Sequence, residues 1–264
     1  MIISRLNGGL GNQLFQYACG RSLAKFNDTE LSLLISGITQ RYIKTNKCEL
    51  RKYNIDCKLV SEMDEIMGYR FREDTSKLID IFIRTDYDIY LNGYWQSEYY
   101  FKSVENIIID ELTLKDPIRS EPFNNMLNKI LDCNSIALHV RRKDYLEPPG
   151  INEFPSYGKD YYDKAKGIID SKVDNPHYFV FSDDIEWCKK NLVYENSTYV
   201  DLNQEGLMDL ELMRKCKHFV IPNSSFGWWG AWLSRNKDKI VILPKKWTYL
   251  EEINRRIAKK WITL

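Results

Sequence analysis

NSIALHVRRKDY, from Asn134 to Tyr145, is an apolar strand signal that runs straight into His139, Arg141, Arg142 and Asp144. Ile136, Ala137 and Leu138 read as a short buried strand, and in an open parallel sheet the ligand crevice lies beyond the carboxyl ends of such strands. Arg141 and Arg142 then stand at the mouth of that crevice. A guanidinium stays charged and offers a planar fork of donors, which suits a phosphate or pyrophosphate. Taken alone, an Arg-Arg-x-Asp run reads equally as surface charge, with both arginines paired to Asp144 and neighbouring acids. The sequence around it has to decide.

Downstream the pattern is regular. Strand Ile136–Val140 leads to a long loop with Pro148, Pro149 and Gly150, then to a helix over 158–172. A strand at 178–181 ends in Ser182, Asp183 and Asp184 and enters a helix at 185–191, with either aspartate suited to cap it. A strand at 198–200, a helix at 207–216, a strand at 219–221, a tryptophan-rich helix at 228–233 and a strand at 240–243 complete the series. Strands alternating with helices predict an α/β fold with a parallel, doubly wound sheet.

In that layout His139 to Asp144, Ser182 to Asp184 and Asn223 to Ser225 all fall at carboxyl ends of strands, where loops converge and separate clusters can build one site. Ser224 and Ser225 precede a helix and can offer hydroxyls and backbone N–H groups to phosphate oxygens, or Ser224 can simply cap that helix. Asp209 lies in the helix feeding this strand, where a carboxylate can receive the paired donors of a guanine edge; alone it reads as surface charge. The helix FGWWGAWL, from Phe226 to Leu233, is apolar on nearly all sides and must be buried, which assigns its tryptophans to packing.

The first half opens with a strand at 1–6, the loop Asn7, Gly8, Gly9, Leu10, Gly11, Asn12, Gln13, and a helix starting near Asn12 with an apolar face. A strand, glycine loop and helix can cradle an anion, although the spacing is not that of a nicotinamide site and a tight turn is the plain alternative. A strand is expected at 31–35, while 39–74 is charged and irregular. Apolar runs at 79–83 and 89–91 bracket Asp86-Tyr87-Asp88, the acidic triplet with which metal-dependent sugar transferases hold a divalent ion, and also a common solvated turn. GYWQSEYYF, from Gly93 to Phe101, sets aromatics beside hydroxyl and amide groups, as sugar-binding surfaces do. A strand is expected at 107–109. Pro117 to Glu121 is the most polar break, and the boundary between two domains is placed at 128/129.

The 264 residues suffice for two such domains. With 38 basic and 37 acidic residues, the net charge of +1 excludes a global attraction to nucleic acid, so any anion site is local. Six scattered cysteines without a CxxC pair fit reduced thiols in the cytoplasm, and three histidines without ligand spacing exclude a conventional zinc site. The N-terminal stretch is too polar for a signal peptide and no run approaches a membrane span. The tail from Trp247, with Arg255, Arg256, Lys259, Lys260 and Trp261, reads as a basic helix that packs on the domains or rests on an anionic membrane surface.

GGLGNQLFQYA (residues 8–18), GYWQSEYYF (93–101), HVRRKDY (139–145), FSDD (181–184) and DLELMRKCKHFVIPNSSFGWWGAWL (209–233) together resemble, in order, the motifs of glycosyltransferase family 11, the α-1,2-fucosyltransferases. The resemblance leaves about 28–88 and the last twenty residues uncovered. It implies a GT-B fold of two Rossmann-like domains facing a cleft, the first (1–128) on the acceptor side and the second (129–264) holding GDP-β-L-fucose. It implies inversion to an α-L-fucoside on the 2-hydroxyl of a galactose-terminated glycan, with no metal and no cofactor.

By position, Arg141 contacts the β-phosphate, His139 and Asp209 the guanine, and Ser224 and Ser225 the phosphates. Asp183 and Asp184 line the same pocket with Asn223 and Phe226, and Arg142 and Asp144 brace the loop. Gly9, Gly11 and Asn12 are the donor-binding candidates of the first half. Arg141 is the catalytic candidate for stabilising the departing phosphate. Asp144, Glu98 and Glu153 are candidates for general base by residue type. Tyr94, Trp95 and Gln96 are the acceptor candidates. Gly227 stands where the family more often has serine. The rival readings are a metal-dependent transferase using Asp86 and Asp88, and a non-catalytic carbohydrate-binding protein.

Overall fold

The computed structural model describes residues 1–35, 48–62, 68–74, 77–202, 206–250, 258 and 260–264. The chain forms two compact units, Met1–Pro117 and Ile118–Leu264.

In the first unit, β1 (Ile2–Arg5), β2 (Leu31–Leu34), β3 (Lys58–Val60), β4 (Gly68–Arg72) and β5 (Asp88–Asn92) make a parallel sheet of order β3-β2-β1-β5-β4. Ile2, Ile3 and Ser4 are all buried, as a central strand covered on both faces requires. Helix α1 (Leu10–Asn27) covers the sheet with Leu14, Phe15, Tyr17, Ala18, Leu23 and Ala24, and ends at Asp28 in the left-handed conformation. The expected strand at 107–109 is instead part of helix α2 (Glu105–Glu111). Val104, Ile108 and Leu112 are its buried positions, four residues apart, so the run follows the helical period. The apolar run at 79–83 forms no strand. The stretch 39–74, expected to be irregular, contributes β3 and β4 where it is described; both are edge strands with largely exposed side chains, which erases the alternation that signals a strand.

In the second unit, β6 (Asn134–Val140), β7 (Pro176–Ser182), β8 (Ser197–Tyr199), β9 (His218–Val220), β10 (Val241–Leu243) and β11 (Ile262–Thr263) form a parallel sheet of order β11-β10-β9-β6-β7-β8. Helix α3 (Glu121–Leu131) leads into β6, and α4 (Gly150–Glu153), α5 (Lys159–Asp170), α6 (Ile185–Asn191), α7 (Gly206–Met213) and α8 (Ser225–Leu233) connect the strands that follow. The units divide at 117/118 and not at 128/129, because α3 buries Phe123, Met126 and Ile130 and packs on α7 and β6. Helix α8 is buried through Trp228, Trp229 and Trp232, as its all-round apolar character predicts. It lies close on α7: a Cβ on Gly230 would stand 2.3 Å from Met213 Sδ.

The tail departs from expectation. Residues 262–263 are not helical but add strand β11 beside β10, with Ile262 and Leu264 against the core and Trp261 against Trp228 at 5.4 Å between centroids. Apolar residues at the chain end pair with a sheet edge more favourably than they would lie on a basic helix. Arg255, Arg256 and Lys259 lie outside the described residues.

The second sheet reverses its winding once, between β9 and β6, while in the first β1 and β5 lie side by side and the loops that follow them share one edge. Ligands of open α/β sheets bind at such a reversal, beyond the carboxyl ends of the strands.

Candidate active site

In the second unit the loops following β6 and β9 flank the reversal, and these carry HVRRKDY and PNSSF. Tyrosines fix both loops by satisfying carbonyls that the strands leave open. Tyr162 donates its hydroxyl to the His139 carbonyl at 3.2 Å, Tyr161 to that of Ile221 at 2.6 Å, and Tyr145 to that of Asn223 at 2.8 Å. Tyr145 thus ties the arginine loop to the serine loop, a contact that its place at the end of the motif gave no cause to expect.

Arg141 is partly exposed and surrounded by carboxylates. Its guanidinium donates from Nη2 to Asp144 Oδ2 at 2.8 Å, and its Nε lies 2.7 Å from Asp144 Oδ1 and 3.3 Å from Asp183 Oδ2. The two Nε contacts are ion pairs off the hydrogen-bond axis. Burial pushes the Arg141 guanidinium down, yet Asp183 and Asp144 outweigh it and hold its pKa above the ordinary value. Burial raises the Asp183 carboxyl, with Arg141 offsetting only part of the shift. Of the two readings open in the sequence, the charge pair is therefore what this structure contains. It is also a mount that aims a fork of five donors, not all of them used by these acids.

Arg142 has a different role. Its backbone N–H donates to Asp183 Oδ1 at 2.9 Å, its Nε to Asp184 Oδ2 at 3.1 Å, and its guanidinium stacks over Trp187 at 4.0 Å. Asp184 also caps α6 by accepting from Trp187 N at 3.2 Å. Asp183 and Asp184, expected as pocket lining, are here the acids that position the two arginines. Trp187, part of this assembly, carried no signal beyond its place in the first turn after the aspartates.

His139 is 4% exposed, and its Nδ1 is buried without a hydrogen-bond partner. Burial, then the charge of Arg141, depresses its pKa to about 3, so the ring is neutral. The Phe226 ring lies 5.5 Å from it, and Phe226 in turn borders Gly206 at the start of α7. Asp209, one turn along α7, has no hydrogen-bond or charge partner among the described residues, and burial alone pushes its pKa up to about 7. A partnerless, half-buried carboxylate is costly unless something docks on it.

At α8, Ser224 is the N-cap residue yet its side chain makes no capping hydrogen bond, so the plain reading of this serine does not hold. Ser224 is buried, while Ser225 and Phe226 are partly exposed. Asn223 donates from Nδ2 to the Trp247 carbonyl at 2.8 Å and leaves Oδ1 buried without a partner. Helix α8 presents its N-terminus, which favours an anion. Of the candidate bases here, Glu153 is exposed at the end of α4.

In the first unit, α1 begins at Leu10, so Gly11 and Asn12 belong to its first turn and Gly9 caps it. Gly8 has φ +77° with the Asn12 side chain packed where a Cβ would stand. Gln96 donates from Nε2 to Asn12 Oδ1 at 2.7 Å, which joins the glycine loop to the predicted acceptor stretch. Tyr94 is 37% exposed, whereas Trp95 is fully buried, its ring edge-on to Tyr100 at 5.3 Å. Trp95 therefore offers no indole face to a sugar. Glu98 pairs with Lys102 at 3.7 Å. Asp86 and Asp88 precede and begin β5, at its amino end, where Asp88 pairs with the Met1 ammonium at 3.0 Å. They lie at the opposite edge of the sheet from the loops that follow β1 and β5.

Comparison with known proteins agrees with this geometry. The chain is 31% identical to an α-1,2-colitosyltransferase of Escherichia coli over 295 residues, covering 100% of this chain and 99% of that protein. It is 28% identical to the O-antigen biosynthesis glycosyltransferase WbnK of Escherichia coli, covering 99% of each. Against the mouse galactoside 2-α-L-fucosyltransferase Sec1, identity is 24% over 89% of this chain and 64% of the other. Among solved structures, the fucosyltransferase NodZ from Bradyrhizobium superposes with a TM-score of 0.55 at 14% identity, over 87% of this chain and 90% of that one, and so shares the GT-B fold. The model of glycosyl transferase family 11 matches residues 1–264 from end to end, and with the two parallel sheets and the arginine and serine loops at the second one's reversal, the chain belongs to that family.

Proposed function

We propose that the chain transfers L-fucose from GDP-β-L-fucose, with inversion and without a divalent metal, to the 2-hydroxyl of a galactose-terminated glycan. One observation carries the donor half. At the reversal of the second sheet a mounted guanidinium, Arg141, and the uncapped N-terminus of α8 at Ser224 and Ser225 share an edge with the Asp209 carboxylate, which has no partner among the described residues. A nucleoside diphosphate with a donor-rich base edge matches that set in charge and in polarity. The linkage and the acceptor rest on the relatives, of which one bears the name of a galactoside 2-α-L-fucosyltransferase.

In the proposed reaction the bond between the fucose C1 and the β-phosphate oxygen breaks as the acceptor 2-hydroxyl forms a new bond to C1 from the opposite face. The bonding pair leaves with GDP, and Arg141 and the α8 N–H groups stabilise the charge that builds there. His139, held neutral in the free protein by burial and the charge of Arg141, offers a hydrogen bond without adding charge. The hydroxyl proton passes to water or to a carboxylate. Asp144, bound to Arg141, serves first to hold the fork. Six free cysteines favour a reducing, cytoplasmic setting. No helix among the described residues is long and apolar enough to cross a membrane.

A second reading concerns the donor: the 31% identical relative is named for colitose and not for fucose, with the same 1,2 linkage. The test is to offer GDP-fucose with a panel of galactose-terminated oligosaccharides, with and without EDTA, and to determine the product linkage by NMR. An α-1,2-fucosylated product formed equally in EDTA supports the proposal. Turnover with GDP-colitose alone, or only with added manganese, refutes it.

A further inference from the structure

The turn Gly93–Ser97 in the first unit is strained and held from three sides. Trp95 has φ +55°, a conformation that bulky side chains avoid, and Ser97 N closes back on the Trp95 carbonyl at 2.8 Å. A strained turn persists only where its surroundings over-determine it. Here Gln16, fully buried in α1, donates from Nε2 to the Gly93 carbonyl at 3.0 Å and accepts from Asn7 N at 2.9 Å through Oε1. Glu73, just beyond β4, accepts from Tyr94 N at 2.6 Å. Gly93 must lack a side chain, because a Cβ there would stand 2.3 Å from Glu73 Cβ. Asn12 accepts from Gln96. The Gln16 amide thus bridges the loops that follow the adjacent strands β1 and β5, from Asn7 ahead of the glycines to Gly93.

We propose that Gln16 and Glu73 are positioning residues: they lock the Gly93–Gln96 turn so that the Tyr94 side chain and the Gln96 amide meet the saccharide acceptor in one fixed arrangement. The reason lies in the chemistry of the ligand. A neutral sugar supplies no charge to organise a loop, so its amide and phenol partners must be placed beforehand for hydrogen bonds to repay desolvation. The strain at Trp95 is the cost of that placement, and the ring of Trp95, buried among aromatics, anchors it.

The inference rests on the reading of Tyr94 and Gln96 as acceptor contacts, and the experiment separates the two. Gln16→Met, Glu73→Ala and Glu73→Gln are compared with the unaltered protein for GDP binding, for hydrolysis of GDP-fucose by water, and for KM and kcat with the best acceptor of the galactose-terminated panel. Gln16→Met and Glu73→Ala are expected to raise the acceptor KM about tenfold, the loss of one net hydrogen bond, with GDP affinity and donor hydrolysis within twofold. Glu73→Gln retains an acceptor for Tyr94 N–H and is expected to restore most of the loss. An unchanged acceptor KM, or a fall in donor hydrolysis as large as the fall in transfer, would overturn the inference. If Tyr94→Phe and Gln96→Ala leave the acceptor KM unchanged while Gln16→Met raises it, the acceptor reading fails and the positioning role is refuted with it.

Discussion

A Cβ added to Gly227 would stand 2.6 Å from Nδ1 of the buried His139 ring and 3.3 Å from Ile221 Cβ. The absence of a side chain at Gly227 therefore makes room for the imidazole. Gly227→Ala forces the ring to move, and is predicted to weaken GDP binding about tenfold while lowering Tm by a few degrees, as overpacking does. Isothermal titration with GDP and a thermal melt check both. Unchanged affinity would detach His139 from the nucleotide.

Arg141→Ala should leave the circular dichroism spectrum native and lower kcat by about 100-fold to 1,000-fold, the usual loss for one group aimed at developing charge. Arg141→Lys keeps the charge and loses the fork, so most of the deficit should remain. Near-normal turnover in either variant would remove Arg141 from the chemistry.

Asp209 makes binding depend on pH. Its pKa near 7 in the free protein, set by burial, must fall when donors of a guanine edge engage the carboxylate, so GDP affinity should drop by up to about tenfold per pH unit below that value. Stability runs the other way. The folded state holds this proton more tightly than the unfolded chain, so the group destabilises the free protein fully above about pH 7 and progressively less toward roughly pH 4. Asp209→Asn is thus expected to raise Tm at pH 8, to raise it by only about a third as much at pH 5, and to abolish the preference for GDP over ADP. A Tm shift equal at both pH values would contradict the assignment.

Glu111 accepts from Arg21 Nε at 2.9 and 3.1 Å and from the Tyr17 hydroxyl, and ties α2 to α1; its side chain is 14% exposed. Glu111→Ala leaves a largely buried guanidinium with, among the described residues, only the exposed Asp56 at 3.2 Å. The expected loss is about 2 to 3 kcal/mol in urea unfolding with m unchanged. A loss below about 0.5 kcal/mol would mean that solvent reaches the pair.

The second sheet was legible because strands covered on both faces read as apolar runs and each ends in a polar cluster. The edge strands of the first sheet were not, since exposed side chains leave no period, and the isoleucines at 107–109 imitate a strand until Val104 and Leu112 are counted with them. Within the site, His139 and Asp209 were named through the family resemblance, while residue type, read at strand ends, announced Arg141 and Ser224. It gave no hint that Asp183 and Asp184 serve the arginines, nor that Trp95 is buried, because pairing and burial are set by contacts between loops far apart in sequence.

The central claim is that Arg141 exchanges acids for a diphosphate, and a crystal structure with GDP tests it most directly. The account predicts an Arg141 nitrogen within about 3 Å of a β-phosphate oxygen, with at least one contact to Asp144 or Asp183 given up. A bound GDP whose diphosphate lies elsewhere, with Arg141 still clasped by both aspartates, would contradict it.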